Sequence, residues 1–278
     1  LLYLEHLQTL LNLDPKMTIA FAHGSFNTAN TLVQLPFIGV LAWIVTKLIP
    51  GEDVVIEYKP KHLDPVFIER SPTVALSQAR AEIVRMGEYS VKGLEETSQF
   101  IMTKDRQNSE MARQIEGALN NLDREITNYL IDLSSAPLSE AESQQHTSLM
   151  DTVRDIERIG DHFENIIELI EFKITNKIIM SEKAHEDVQE MFDLTISTVK
   201  LAIDSLLEMN REKALEVLQR EIQIDKMERK FRRDHIIRMN EGTCSGSAGV
   251  VFVDIISNLE RIGDHAVNIS EEVLENFK

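Results

Sequence analysis

A single cysteine, Cys244, excludes an intrachain disulfide and any cysteine-based metal centre. Basic residues are outnumbered: 29 Lys and Arg against 46 Asp and Glu leave a net charge of -17. That balance argues against nucleic-acid binding, which needs a basic patch. Proline is scarce after Pro72, where Pro137 is the only one left, so little interrupts a helix from there onward. Between Met17 and Thr46 there is no Asp, Glu, Lys or Arg in thirty residues. The chain begins Leu1-Leu2-Tyr3, with neither an initiator Met nor a basic leader, and reads as a fragment lacking its N-terminal part.

The uncharged run sets the first expectation. As a helix, thirty residues span about 45 Å, more than the roughly 30 Å hydrocarbon core of a bilayer. Pro36 should kink or divide it. His23, Asn27, Asn30 and Gln34 recur at spacings of four, three and four, which lines one helical face with polar groups. Such stripes in membrane helices face a bundle interior or a water-filled cavity, so these four are candidates to line a transport path. The apolar Phe37–Val45 follows, then Lys47 and a stop at Pro50-Gly51. Residues 1–50 thus read as a membrane segment, the last of several spans; a buried helix of a soluble core is the rival reading. The same residues hold only Glu5, Asp14, Lys16 and Lys47, so the whole net charge of -17 belongs to residues 51–278. Pro60, Pro65 and Pro72 mark 51–72 as an extended linker.

From 73 to 278 the pattern is helical throughout. Six helices are expected, at about 74–103, 107–134, 139–176, 182–209, 211–240 and 250–277. Ser139 with Glu142 makes a capping box at the third. Ile126, Tyr129, Leu130 and Leu133 show the three-and-four spacing of packed bundle helices. The fold class is all-α, with two three-helix repeats at about 73–176 and 181–278.

Each repeat ends in the same words. Glu157-Arg158-Ile159-Gly160-Asp161-His162 returns 103 residues later as Glu260-Arg261-Ile262-Gly263-Asp264-His265, with agreement at Asp151/Asp254, Asn165/Asn268 and Glu168/Glu271. Residues four apart share a helical face, so Glu157 and Asp161 project side by side, as do Glu260 and Asp264. Like charges at that spacing cost an isolated helix roughly 0.2–0.5 kcal/mol, and a glycine in mid-helix costs about 1 kcal/mol. Writing both penalties twice points to a cation between the stripes and to close packing at Gly160 and Gly263. A solvated acidic face, partly neutralised by Arg158 and Arg261, is the plainer account. Glu221 and Asp225 repeat the spacing in the fifth helix; the second helix offers Leu119 and Asp123 in the matching place. Sites made only of carboxylates suit Mg²⁺, Mn²⁺ or iron. His162 and His265 support the acids or are ordinary surface histidines.

These paired helices resemble the PhoU family of phosphate-signalling proteins, whose E(D)-x-x-x-D motif recurs in two three-helix bundles. Glu157/Asp161, Glu260/Asp264 and Glu221/Asp225 match it here. Upstream, Ala22-His23-Gly24-Ser25-Phe26-Asn27 and Leu35-Pro36-Phe37 are similar to the final membrane helix of bacterial sodium/phosphate cotransporters, some of which end in a PhoU-like domain. The resemblance implies the C-terminal portion of a sodium:phosphate symporter, located in the cell membrane, with residues 73–278 as a cytoplasmic regulatory domain. Phosphate and sodium would be its substrates, and a second copy or a signalling protein its partner. It also implies iron or zinc clusters on Glu157, Asp161, Glu260, Asp264, Glu221, Asp225 and Asp123. The alternatives are a stand-alone PhoU-like regulator acting through protein contacts, a di-metal enzyme, and a module docking a basic partner. Against the enzyme, the sequence shows neither a nucleophile nor a Gly-rich phosphate cradle.

Overall fold

The computed structural model describes residues 14–48 and 56–275, all of whose regular structure is helical. The chain divides into two units, Leu1–Val55 and Ile56–Lys278.

In the first unit, α1 (Pro15–Gln34) is started by Asp14, whose carboxylate accepts the Met17 N–H at 2.7 Å, with Pro15 in the first turn where its missing N–H costs nothing. A 3₁₀ turn at Leu35–Phe37 separates it from α2 (Ile38–Leu48). Pro36 therefore divides the uncharged run, and this overturns the membrane-span expectation. Among the described residues no helix is both long and apolar enough to cross a membrane. The 11 residues of α2 reach about 16 Å, half of what a bilayer needs. The 20 residues of α1 are long enough but too polar, because His23, Asn27, Asn30 and Gln34 lie along them. Those four pair among themselves, Asn27 with His23 at 3.2 Å and Gln34 with Asn30 at 3.1 Å. The expected stop at Pro50-Gly51 lies outside the described residues.

The second unit contains a short α3 (Val66–Arg70) and six long helices: α4 (Pro72–Thr103), α5 (Arg106–Leu133), α6 (Glu140–Thr175), α7 (Glu182–Glu208), α8 (Arg211–Asn240) and α9 (Gly246–Glu275). Punctuation is local. Lys104 (φ 60°) and Met209 (φ 49°) end α4 and α7 in the left-handed conformation, and Asp105 and Asn210 then cap α5 and α8. Ser139 and Glu142 form the full capping box at α6. Each helix contributes an apolar stripe to one core, such as Ala112, Ile115, Leu119, Leu122, Ile126 and Leu130 of α5, all 0% exposed. Neighbouring helices approach closely at several glycines. A Cβ at Gly93 would lie 2.5 Å from Phe163 Cζ, and one at Gly160 2.9 Å from Leu119 Cδ1.

Residues 56–65 form neither helix nor strand and are strapped to α4 and α5. Glu82, 0% exposed, accepts the backbone N–H groups of Lys61 (2.9 Å) and His62 (3.0 Å) and pairs with Arg85. Arg85 in turn donates to the Lys59 carbonyl at 2.9 Å. Asn121 donates to the Tyr58 carbonyl at 2.6 Å, and Tyr129 to that of Asp64 at 3.1 Å. A buried charge pair whose spare lone pairs bind backbone amides is the arrangement in which burial is tolerated.

Candidate functional site

The repeated hexapeptides lie on α6 and α9, which pack against each other, each also flanked by the middle helix of its own half. In the second half, α8 aims Glu221 and Asp225 at the stripe that α9 carries. Burial pushes the Glu221 carboxyl above the ordinary range, with Asp225 and Asp264 adding to the effect. Glu260 is raised by burial and then by Asp264, Asp225 and Glu228. Asp264 is raised by burial and then by Asp225. In the first half Glu157 is raised by burial, then by Asp161, while Arg158 pulls it back. Asp123 is raised by burial against the opposing pull of Arg154 and Arg158. Both sites therefore hold partly desolvated carboxylates that repel one another.

The register of the middle helices differs from the sequence expectation. The left-handed ends Lys104 and Met209 and the caps Asp105 and Asn210 correspond at a shift of 105 residues. Leu119 faces Gly160 as Ile224 faces Gly263, which is the same shift. The counterparts of Glu221 and Asp225 are thus Glu116 and Asn120, not Leu119 and Asp123; Asp123 corresponds to Glu228. Glu116 is raised by burial and by Glu164, Asp161 and Glu157, which places it in the first site. Pairing Glu221 and Asp225 with Leu119 and Asp123 sets the middle helices at a shift of 102 residues instead of 105, which passes over Glu116 and Glu228. The Glu116-x-x-x-Asn120 spacing was the available signal.

Arginines hold the acids unequally. Arg158 bridges Asp161 at 3.0 Å and Glu157 at 3.6 Å. Its repeat partner Arg261 makes no ion pair among the described residues, but Arg229 holds Asp225 and Arg232 holds Glu228. With these ties in place, no three Asp, Glu, His or Cys side chains among the described residues gather where they could share one metal ion. The donor chemistry still suits a hard cation, since every candidate is a carboxylate oxygen.

The histidines join the halves. His162 and His265 stack with ring centroids 5.5 Å apart. His162 Nδ1 meets Asn258 Oδ1 at 2.9 Å, and His265 Nδ1 meets Asp155 Oδ1 at 2.8 Å, with Asn268 donating to the same oxygen at 2.9 Å. They are neither plain surface groups nor outer support for their own acids: each bonds to the opposite signature helix. Beside them a cleft of 490 Å³ is lined by His162, Glu221, Arg261, Asp264, His265 and Asn268.

A PhoU domain model matches residues 83–170 and 188–273, one copy in each half. The chain belongs to the PhoU domain family. The crystal structure of PhoU from Pseudomonas aeruginosa aligns with a TM-score of 0.67 at 23% identity, covering 72% of this chain and 95% of that one. This PhoU domain is also 25% identical over 204 residues to the phosphate-specific transport system accessory protein PhoU homolog of Clostridium acetobutylicum, covering 72% of the chain and 90% of the relative. A protein of Escherichia coli K12 named for inorganic phosphate export, YjbB, is 21% identical over 272 residues. That alignment takes in 95% of this chain but spans only about half of YjbB, 49% of its length. The symporter reading and its cell-membrane location do not survive. The PhoU relative is matched along nearly its whole length, and no described helix can cross a membrane.

Proposed function

We propose that the chain regulates phosphate uptake and phosphate signalling by contact with a transport or signalling protein, without catalysing a reaction itself. The observation that carries this is the PhoU domain match to both halves, each of which presents its own seam of mutually repelling carboxylates. Glu116, Asp123, Glu157 and Asp161 would hold a cation in the first half, and Glu221, Asp225, Glu260 and Asp264 in the second. Iron, zinc, manganese and magnesium are the metals such donors take. A bound cation would supply positive charge between the middle and signature helices, offsetting the repulsion that raises these carboxyls. The histidine pair gives the two seams a common boundary, so a change in one helix is felt at the other.

Two measurements test this. Expression in a bacterium lacking its own PhoU should restore normal restraint of phosphate uptake, and failure to alter uptake at any phosphate level would overturn the regulatory reading. Elemental analysis of the purified chain should find a divalent or trivalent metal that D161N/D264N loses while staying helical. Equal metal content in the two proteins would remove the carboxylate seams from the account.

A further inference from the structure

The outward face of α8 runs against the charge of the whole chain. Arg211–Asn240 holds nine Lys and Arg against six Asp and Glu, in a protein of net charge -17. Ile222, Lys226, Arg229, Lys230, Arg233, Ile236 and Ile237 fall within one third of the helix circumference at 100° per residue. Ile222 is 50% exposed, Ile236 44% and Ile237 48%. Lys226, Lys230 and Arg233 are exposed between them. Arg229 is spent on Asp225, but Lys226 and Lys230 form no ion pair among the described residues. Arg233 meets only its neighbour Asp234, at 3.5 Å.

The first half shows that this face is particular to the second. At the shift of 105 residues, Ile222 corresponds to Gly117, Lys226 to Asn121 and Lys230 to Glu125. Gly117 and Asn121 lie under the strap: a Cβ on Gly117 would be 3.7 Å from the Tyr58 ring, and Asn121 holds the Tyr58 carbonyl. Among the described residues no strap lies on α8, an exposed isoleucine stands in place of the glycine, and a lysine in place of the acid.

We propose that this face of α8 docks an acidic, amphipathic segment of a partner protein. The inference rests on the reading of the chain as a regulator that acts through protein contacts. Charge complementarity selects the occupant. Unpaired bases on an acidic chain attract carboxylates locally, and the acidic remainder repels an anionic surface too broad to meet the stripe alone. A discrete segment engages the three bases without facing the rest; an anionic bilayer does not. The isoleucines at the two ends, 14 residues apart along the helix, are separated by about 21 Å. The segment therefore carries apolar residues at both ends and Asp or Glu between, over about four helical turns.

A display library of random 16-residue segments, panned against the intact chain, tests this. Enriched segments should be acidic in the middle and apolar toward both ends. The strongest, synthesised and labelled, should bind K226E/K230E/R233E at least tenfold more weakly, and I222S/I236S more weakly as well. All five positions are exposed, and circular dichroism checks that the variants stay helical; K226Q/K230Q replaces any that does not. No enrichment, neutral or basic binders, or undiminished binding to the variants would overturn the proposal. So would vesicles of phosphatidylglycerol, or a second copy of the chain seen by sedimentation velocity, taking up the same residues instead. Restored phosphate control in cells by K226E/K230E/R233E would remove this docking face while leaving the regulatory reading intact. Peptide binding without any phosphate control would do the reverse.

Discussion

The two halves share a fold and a motif, yet physical chemistry treats them differently. In the first, the acids are muted: Arg158 bridges both Glu157 and Asp161, Asn120 stands where the second half has Asp225, and a strap covers part of α5. In the second, Asp264 and Glu260 have no such bridge among the described residues, five carboxylates act on one another, and the described chain places no strap over α8. A buried His235 also takes the place of Leu130 at the shift of 105 residues; both are 0% exposed. Duplication preserved the packing and let the charges diverge. The first half is built as the braced copy and the second as the responsive one.

The largest expected break in this comparison comes from the buried acids Glu82 and Asp187, which correspond across the halves. Removing one partner of a buried ion pair costs about 3–5 kcal/mol. E82A strands Arg85 and also releases Lys61 and His62, so urea unfolding should shift by that amount and trypsin should cut after Lys61. D187A strands Arg238, held at 3.1 Å, and merely releases the exposed Lys183, and should destabilise without exposing the strap. Strap cleavage in D187A, or none in E82A, would contradict the assignment of the strap to Glu82.

Glycine substitutions sharpen the comparison at smaller scale. G93A drives a methyl into the Phe163 ring at 2.5 Å, an overpacking expected to cost about 1–3 kcal/mol. G263A meets Ile224 Cδ1 at 3.2 Å, which a small turn about the Ile224 Cβ–Cγ1 bond relieves, so it should gain up to about 1 kcal/mol from helix propensity. G160A, at 2.9 Å from Leu119 Cδ1, should fall between them. Equal melting shifts for G160A and G263A would show instead that the two signature helices are packed alike at their glycines.

Next is pH. His235 stacks on Phe252 at 4.3 Å with its Nε2 unpartnered, and its value is lowered by burial and then by Arg238, against a smaller upward pull from Asp187. A depressed histidine is held neutral, so its contribution is present above the unfolded value near 6.5 and is lost as pH falls toward the folded value. Stability should therefore drop by at most about 1.4 kcal/mol per pH unit below 6.5 from this group. H235L, which copies the first half, should flatten the pH 5–7 melting profile. An unchanged profile would separate acid sensitivity from His235.

The smallest effect concerns the signature acids without metal. In chelator, D264N should gain a few tenths of a kcal/mol by removing a repelling charge, whereas D161N loses its bridge to Arg158 and should gain nothing. Falling pH should mimic D264N, because raised carboxyls bind protons more tightly in the folded state and stability from them rises as they protonate. Equal responses of the two variants would erase the distinction between a bridged and an unbridged stripe.

The six helices, the Ser139 capping box and the duplication could be read in the sequence because each is written in residue patterns along the chain. Ser139 and Glu142 cap whatever follows, three-and-four spacing declares a buried face, and six repeated residues need no structure to be noticed. What sequence could not decide depends on neighbours distant in the chain. The uncharged run met a length test and failed a geometric one, because Pro36 divides it and α1 carries too many amides. The proline-rich stretch looked like a tether, and became a strap only because Glu82 and Arg85, more than twenty residues on, were buried with spare hydrogen-bonding capacity. Glu116 joined the first site, and His162 and His265 reached across to Asn258 and Asp155, through helix packing alone. Periodicity fixes which face of a helix is turned inward. Only the packed bundle sets the register between helices, and with it which charges meet.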